Sequence, residues 1–427
     1  LFTLLGWLAD MFLGTNTDLS FSMLGLASNR IFQIMSSWVL VAIPMFIYMG
    51  LLLEKAGIAE GMMRSMQDLF GRIRGGLGIT VTIIGIVMAA STGIIGASVV
   101  LMSILSLPTM VKQGYSKSLA TGTVAASGTL GILIPPSIML VIMADQLGIS
   151  VADLFMGAMI PGVFLGTLYI AYIIVYGLIR PQGAPLSPYR KPITMKVVLT
   201  SMASILPPAL LILIVLGSIF AGLATPTEAS GMGVFGAFVL ALANRKLSWI
   251  AIKEVTVTAF RITGFIFGIW ISATMFALVM RLLGGDQFVE DLLTSLPFGP
   301  YGVLVVVLCA VFFLGFFLDW IEICLIILPL MAPVVEGLAI NIDGHGVVDS
   351  PTVVWFTVLI AVTLQTSFLT PPVGPAIFFM QGVAPPEIKL LDIYKGVVPF
   401  VVVQVIGITA VALWPQLVIW LPALVYR

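Results

Sequence analysis

Two clusters of hydroxyl and amide side chains interrupt otherwise apolar sequence, and each stands just ahead of paired prolines. The first reads Ala126-Ser127-Gly128-Thr129-Leu130-Gly131 before Pro135-Pro136. The second reads Thr363-Leu364-Gln365-Thr366-Ser367-Phe368-Leu369-Thr370 before Pro371-Pro372 and Gly374. Proline removes a backbone donor and clashes with the preceding turn, so a helix breaks there and leaves carbonyls unpaired. In hydrocarbon each unsatisfied backbone group costs several kcal/mol, so something must occupy the break. Freed carbonyls and Ser/Thr hydroxyls are hard oxygen ligands suited to an alkali cation, and a half-helix N-terminus attracts a carboxylate. One isolated Pro-Pro reads as a structural kink. Two in corresponding places read as two sodium sites flanking one anion site.

The elements that carry these clusters follow from composition. Of 427 residues 60% are hydrophobic and only 9% charged, against about 25% charged in soluble domains. A water-soluble enzyme is excluded, and the solvent is lipid. Nineteen basic residues balance nineteen acidic ones, so the chain carries no nucleic-acid footprint. Cys309 and Cys324 lie in apolar runs, and the single histidine, His345, lies in a polar loop, which leaves no Ser–His, His–Glu or paired-Asp constellation inside the spans. The protein is expected to be no enzyme. Apolar runs such as 203–222, 262–280 and 397–414 match the roughly 20 residues of a membrane helix, not the shorter alternating strands of a barrel. Residues 1–14 are short for a span and Leu1 is not Met, so the first helix is expected to be truncated.

Lys and Arg mark cytoplasmic loops. Arg64, Arg72, Arg74, Lys112, Lys117, Arg180, Arg190, Lys191, Lys196, Arg245, Lys246, Lys389 and Lys395 therefore lie inside, while the acid-only loop with Asp145 and Asp153 lies outside. Between Arg281 and Lys389 there is no Lys or Arg, yet Asp286, Glu290, Asp291, Glu336, Asp343 and Asp349 fall there. Residues 76–111 thus begin and end on the inner side, and residues 300–335 on the outer side, each with polar residues at its midpoint. Both read as re-entrant helical hairpins. The pairs Arg30-Ile31 with Arg261-Ile262, and Pro135-Pro136 with Pro371-Pro372, recur in one order with loops of opposite sign. That is an inverted-topology repeat, the plan of many secondary transporters.

The reading is an all-α polytopic membrane protein with two re-entrant hairpins and two discontinuous helices, of elevator type. Its parts are scaffold helices at 1–60, an arm at 61–75, and the first hairpin, broken helix and closing span at 76–179. A basic loop with further scaffold helices follows at 180–283, a second arm at 284–298, and the second hairpin, broken helix and closing span at 299–427. Asp319 reads equally as a cation ligand at the second hairpin tip and as a helix cap; Glu322 reads as a first-turn charge. Arg30 and Arg261 are expected to flank helices and snorkel to the interface.

The run 125–137 with Met110-Val111-Lys112-Gln113-Gly114-Tyr115 before it, and Gly315-Phe316-Phe317-Leu318-Asp319 with Thr370-Pro371-Pro372-Val373-Gly374, resemble the large, DctM-like membrane subunit of tripartite ATP-independent periplasmic (TRAP) transporters over essentially the whole chain. The resemblance implies a multi-pass protein of the cytoplasmic (inner) membrane and a sodium symporter for an organic acid such as a C4-dicarboxylate. It also implies two partners, a periplasmic substrate-binding protein and a small four-helix membrane subunit. On this pattern sodium is expected at Ser91, Thr92, Gly93, Ser127 and Gly128, and at Asp319, Thr363, Thr366 and Ser367. The carboxylate is expected at Ser91, Thr92, Thr129, Gln365, Thr366 and Thr370. Many members carry two serines where this chain has Ile94 and Ile95, which reduces the side-chain oxygens at the first tip. The 89–97 stretch resembles a branch labelled for mannitol or chloroaromatic compounds, with some members linked to 2-oxo acids. A stand-alone sodium/anion symporter of related fold, or a channel, would share the hairpin plan.

Overall fold

In the computed structural model the described residues are 24–426, apart from 93–94, 189–191, 193, 339 and 372–373, and the side chains of 24–27 and 89–92 are likewise outside the description. All regular structure among the described residues is helical. Among the described residues seven helices are long and apolar enough to cross a membrane, or eight if the pair Ser28–Ser36 and Val39–Lys55, bent by 66°, is one span.

The first repeat begins with α1 (Leu24–Ser36) and α2 (Ala42–Lys55), followed by the arm α3 (Ile58–Phe70). The arm buries Ile58, Ala59, Met62, Met63 and Met66 on one stripe, the helical spacing of an amphipathic interfacial helix. Next come α4 (Gly76–Thr92) and α5 (Ile95–Lys112), which pack side by side, so the chain reverses between them as a hairpin requires. The first broken helix is α6 (Lys117–Thr129), a 3₁₀ turn at Leu130–Ile132, a non-helical stretch through Pro135-Pro136, and α7 (Ile138–Leu147). The span α8 (Val151–Ile179) closes the repeat.

The second repeat repeats the order. It consists of α9 (Met195–Phe220), α10 (Pro226–Ala243), α11 (Trp249–Leu282) and the arm α12 (Gly285–Thr294). Its hairpin is α13 (Pro300–Leu314) and α14 (Trp320–Gly337), the latter carrying a π turn at Ile323–Ile327. Its broken helix is α15 (Pro351–Ser367) and α16 (Pro375–Gln381), and α17 (Leu390–Leu413) closes it before the short α18 (Gln416–Val425). Local chemistry sets many starts: Ser116, Ser137, Ser150, Thr194, Thr225 and Ser248 each accept a backbone N–H at an N-cap, and Thr225 with Glu228 forms a capping box.

Helices α2, α3, α9, α10 and α11 pack on one another as one group, and α6, α8, α15 and α17 as another. The hairpins cover the second group, and the arms join them to the first: α3 contacts both α9 and α4, and α12 contacts both α11 and α14, while α2 packs directly on α4 and α11 on α14. Arg261 departs from expectation. It stands inside the 34-residue α11, not at its edge. A helix of that length spans about 51 Å, well beyond the roughly 30 Å hydrocarbon core, so α11 continues past Arg261 instead of stopping there. Arg30 likewise stands within α1.

Lipid offers apolar side chains no reason to leave it, so membrane helices associate through close packing of small residues. Gly122 on α6 and Gly396 on α17 bring the backbones of the two repeats into direct contact, and a β-carbon at Gly122 would overlap the Gly396 carbonyl. Gly122→Ala is expected to cost about 1–3 kcal/mol of stability, seen as a lower melting temperature of the purified protein in detergent. Gly61→Ala, where a β-carbon meets nothing within 4 Å, is the control and should leave the melting temperature unchanged or raised.

Candidate functional site

Each broken helix sits against its own hairpin. A β-carbon on Gly85 of α4 would come within 2.7 Å of Ser127 Cβ, and one on Gly128 within 2.6 Å of Val99 on α5, so α6 is nested between the two arms. The Ser127 hydroxyl donates to Thr82 Oγ1 at 3.2 Å, and Thr82 donates to the Gly78 carbonyl at 3.1 Å. Helix α4 also lies on the 3₁₀ turn Leu130–Ile132. In the second repeat, Gly315, directly after α13, approaches so closely that a β-carbon there would overlap Ser367 Oγ. Glycine is required at both places by proximity alone.

The second halves of the broken helices cross over. Helix α16 packs on α5 of the first hairpin, where Gly96 faces the Phe379 ring, and α7 packs on α14 of the second hairpin. The breaks are also sealed locally. Ser137 donates to the Ile132 carbonyl at 2.5 Å and accepts from Leu140 N at 3.5 Å, stitching the two sides of the first break together. Leading into the second break, the Thr370 hydroxyl donates back to the Thr366 carbonyl of α15 at 2.8 Å.

Thr363, Thr366 and Ser367 are buried and donate to the carbonyls of Leu359, Val362 and Leu364. A hydroxyl spent as a donor keeps its lone pairs free to accept, so each can still face a cation. Asp319 caps α14, its carboxylate accepting from Trp320 N at 2.8 Å; the capping half of the sequence reading is seen directly, and the remaining carboxylate oxygen keeps its acceptor capacity. Ser91 and Thr92 close the last turn of α4, but their side chains, like all of Gly93, Pro372 and Val373, lie outside the described residues. Among the described residues no three His, Cys, Asp or Glu side chains converge, so the oxygen supply of this region is hydroxyl, amide and carbonyl.

Thr129 and Gln365 come together. The Gln365 amide donates to Thr129 Oγ1 at 3.5 Å and to the Tyr169 hydroxyl of α8 at 3.3 Å. Thr129 itself donates to the Ala126 carbonyl at 2.9 Å. Tyr169 stands edge-on to Phe400 with ring centroids 5.3 Å apart, one helical turn before Gln404 on α17. Gly85, Thr82, Tyr169 and Gln404 were not among the residues singled out from sequence. Gln404 carried a usable signal, as the one amide in the closing span of the second repeat; the others become visible only once helices are packed.

A test of the hairpin contact uses thiol reactivity. With Cys309 and Cys324 replaced by Ala, Ser367→Cys is expected to be protected from a membrane-permeant thiol reagent, because Ser367 is fully buried beneath Gly315. Adding Gly315→Ala should raise the labelling rate several-fold, since the added methyl must displace the hairpin.

The sequence matches the family described as "Tripartite ATP-independent periplasmic transporter, DctM component" over residues 1–417. It is 28% identical to the C4-dicarboxylate TRAP transporter large permease protein DctM of Pseudomonas aeruginosa, covering 92% of this chain and 88% of that one. It is 26% identical to the sialic acid TRAP transporter permease protein SiaT of Haemophilus influenzae, covering 99% and 68%. To the ectoine TRAP transporter large permease protein TeaC of Halomonas elongata it is 27% identical, covering 91% and 87%. In fold it is similar to the crystal structure of the Alcanivorax borkumensis YdaH transporter, with a TM-score of 0.62 at 11% identity over 89% of this chain and 85% of that one.

Proposed function

The chain belongs to the DctM component family of tripartite ATP-independent periplasmic transporters, as a large permease subunit of the inner membrane, and from that premise we propose that it imports an organic acid coupled to sodium by an elevator movement. The observation that carries the reading is the crossed arrangement of the breaks. Each interrupted helix lies under its own hairpin while its second half lies on the other, which concentrates oxygen ligands at two related points of an otherwise apolar interior.

Sodium is a hard cation that takes oxygen ligands. The first ion is assigned to Ser91, Thr92 and Gly93 with Ser127 and Gly128, and the second to Asp319 with Thr363, Thr366 and Ser367. The carboxylate would sit between the hairpin tips, against Ser91, Thr92, Thr366 and Thr370, with Thr129 and Gln365 behind them. The start of α7 directs the positive end of a helix dipole toward the first break. The group α6, α8, α15 and α17 with both hairpins forms the moving part, and α2, α3, α9, α10 and α11 the scaffold. That partition is supported by the dense packing within each group, with the arms and the contacts of α2 on α4 and α11 on α14 forming the seam between them. A periplasmic binding protein would deliver the cargo and a small membrane subunit would brace the scaffold. The names of the relatives range over a C4-dicarboxylate, sialic acid and ectoine, so the cargo is assigned only as an organic acid.

Ligand binding shifts the outward–inward equilibrium only through differential affinity for the two states, so sodium must raise substrate affinity. In proteoliposomes holding both membrane subunits, with the binding protein supplied outside, replacing sodium by potassium is expected to abolish uptake. Persistence of uptake would overturn the sodium assignment, and uptake without the binding protein would favour a stand-alone symporter. Ser127→Ala and Thr366→Val are each expected to raise the half-saturating sodium concentration about tenfold, the equivalent of roughly 1–2 kcal/mol for one lost oxygen ligand.

A further inference from the structure

Thr129 and Gln365 are 236 residues apart in sequence and in contact in space. The same interval separates Pro135 from Pro371 and Pro136 from Pro372, so Thr129 and Gln365 hold one and the same position in the two repeats. Two positions related by a two-fold axis can touch only where the axis passes between them. The pseudo-two-fold of this protein therefore runs through the Thr129–Gln365 hydrogen bond. Tyr169 and Gln404 bear nearly the same relation, on the counterpart closing spans α8 and α17.

All four residues are 0% exposed. The Gln404 side chain stands beside the Tyr169 hydroxyl without meeting it in a well-formed hydrogen bond, and Gln365 Oε1 has no partner. Buried polar atoms left unpaired in an apolar interior cost free energy and call for an explanation. Here they leave the cluster with spare pairing capacity around one hydroxyl, which Gln365 engages in the present arrangement while Gln404 stands beside it. A buried network with two discrete pairings is the kind of element that can carry coupling between sites. Its position suits that role: Thr129 is the last residue of α6 and Gln365 lies two residues before the end of α15, so each is rigidly joined to one break.

We propose that Gln365 is a positioning residue on the pseudo-two-fold axis which, through Thr129 and Tyr169, makes the two helix breaks change geometry together, so that the two cation sites fill cooperatively. This rests on the sodium-coupled reading above. At 3.3 and 3.5 Å the two bonds are long enough that a displacement of either break by about 1 Å breaks them, and low dielectric makes an unpaired alternative unfavourable.

The test is the steepness of sodium activation of uptake in proteoliposomes with both membrane subunits and the binding protein. The wild type is expected to show a Hill coefficient of about 2, falling toward about 1 in Gln365→Met and in Thr129→Val. The double variant should be no worse than either single. The exchange variant, Thr129→Gln with Gln365→Thr, should regain steepness, because the axis makes the two positions interchangeable and Gln404 then takes the place of Tyr169. Slowed uptake with an unchanged Hill coefficient in the single variants would overturn the proposal, as would an exchange variant no steeper than they are. Sodium-independent uptake by the wild type is a separate result, which removes the parent reading and this inference with it. Thr129→Val is nearly isosteric, and its melting temperature in detergent checks that the variant remains folded.

Discussion

Backbone N–H and C=O groups released in the middle of a membrane have no water to bond with, and that constraint organises this protein. Two helices are interrupted where an apolar chain can least tolerate it. Each interruption is consequently enclosed. Ser137 bridges the first break from Ile132 to Leu140, Thr370 turns back onto Thr366 at the second, and a hairpin arm lies over each. The hairpins are no decoration on a bundle; they are what lets the breaks exist at membrane depth. In turn the hairpins, having both ends on one side, need arms to bring the chain to them, and α3 and α12 serve that end.

Close approach is the second requirement, and glycine meets it. Gly85 against Ser127, Gly315 against Ser367 and Gly122 against Gly396 each place backbone where any side chain would intrude. With no hydrophobic gain available between helices in lipid, these contacts hold the interior through packing and through hydrogen bonds such as that from Trp355 Nε1 to the Val411 carbonyl at 2.8 Å. The outer group of helices is held differently. Helix α11 leaves Trp249, Phe260, Phe265 and Phe276 exposed, the surface of an element that meets lipid or another membrane segment along much of its length.

Much of this architecture can be read from residue order. Paired prolines locate both breaks, and loop charge with polar midpoints locates both hairpins, because these signals are local and chemically costly to counterfeit in apolar sequence. The all-helical membrane fold follows from composition. Arg261 shows where such reading fails: a charge beside an apolar run reads as flanking a helix, whereas the helix runs on past it, because nothing in a local pattern records how far a helix projects beyond the bilayer. Thr129 and Gln365 read from sequence as carboxylate ligands beside the breaks, but their contact with each other is a tertiary fact. Tyr169 carries no such signal, because a tyrosine in an apolar span reads as packing until α8 is seen against α15 and α17.

The contact on the axis also says something about how such a chain can be built. In a two-fold pair of identical subunits, a residue on the axis meets its own copy, so one side-chain type must act as both donor and acceptor. Here the position is split between a short hydroxyl and a long amide, and only the amide reaches Tyr169 as well. That division of labour is closed to two identical subunits and open to halves that each have their own sequence, where each copy of the position is free to diverge. Carrying the repeats as separate stretches of one polypeptide thus does more than fix their stoichiometry: it allows chemistry at the centre of symmetry that exact symmetry forbids.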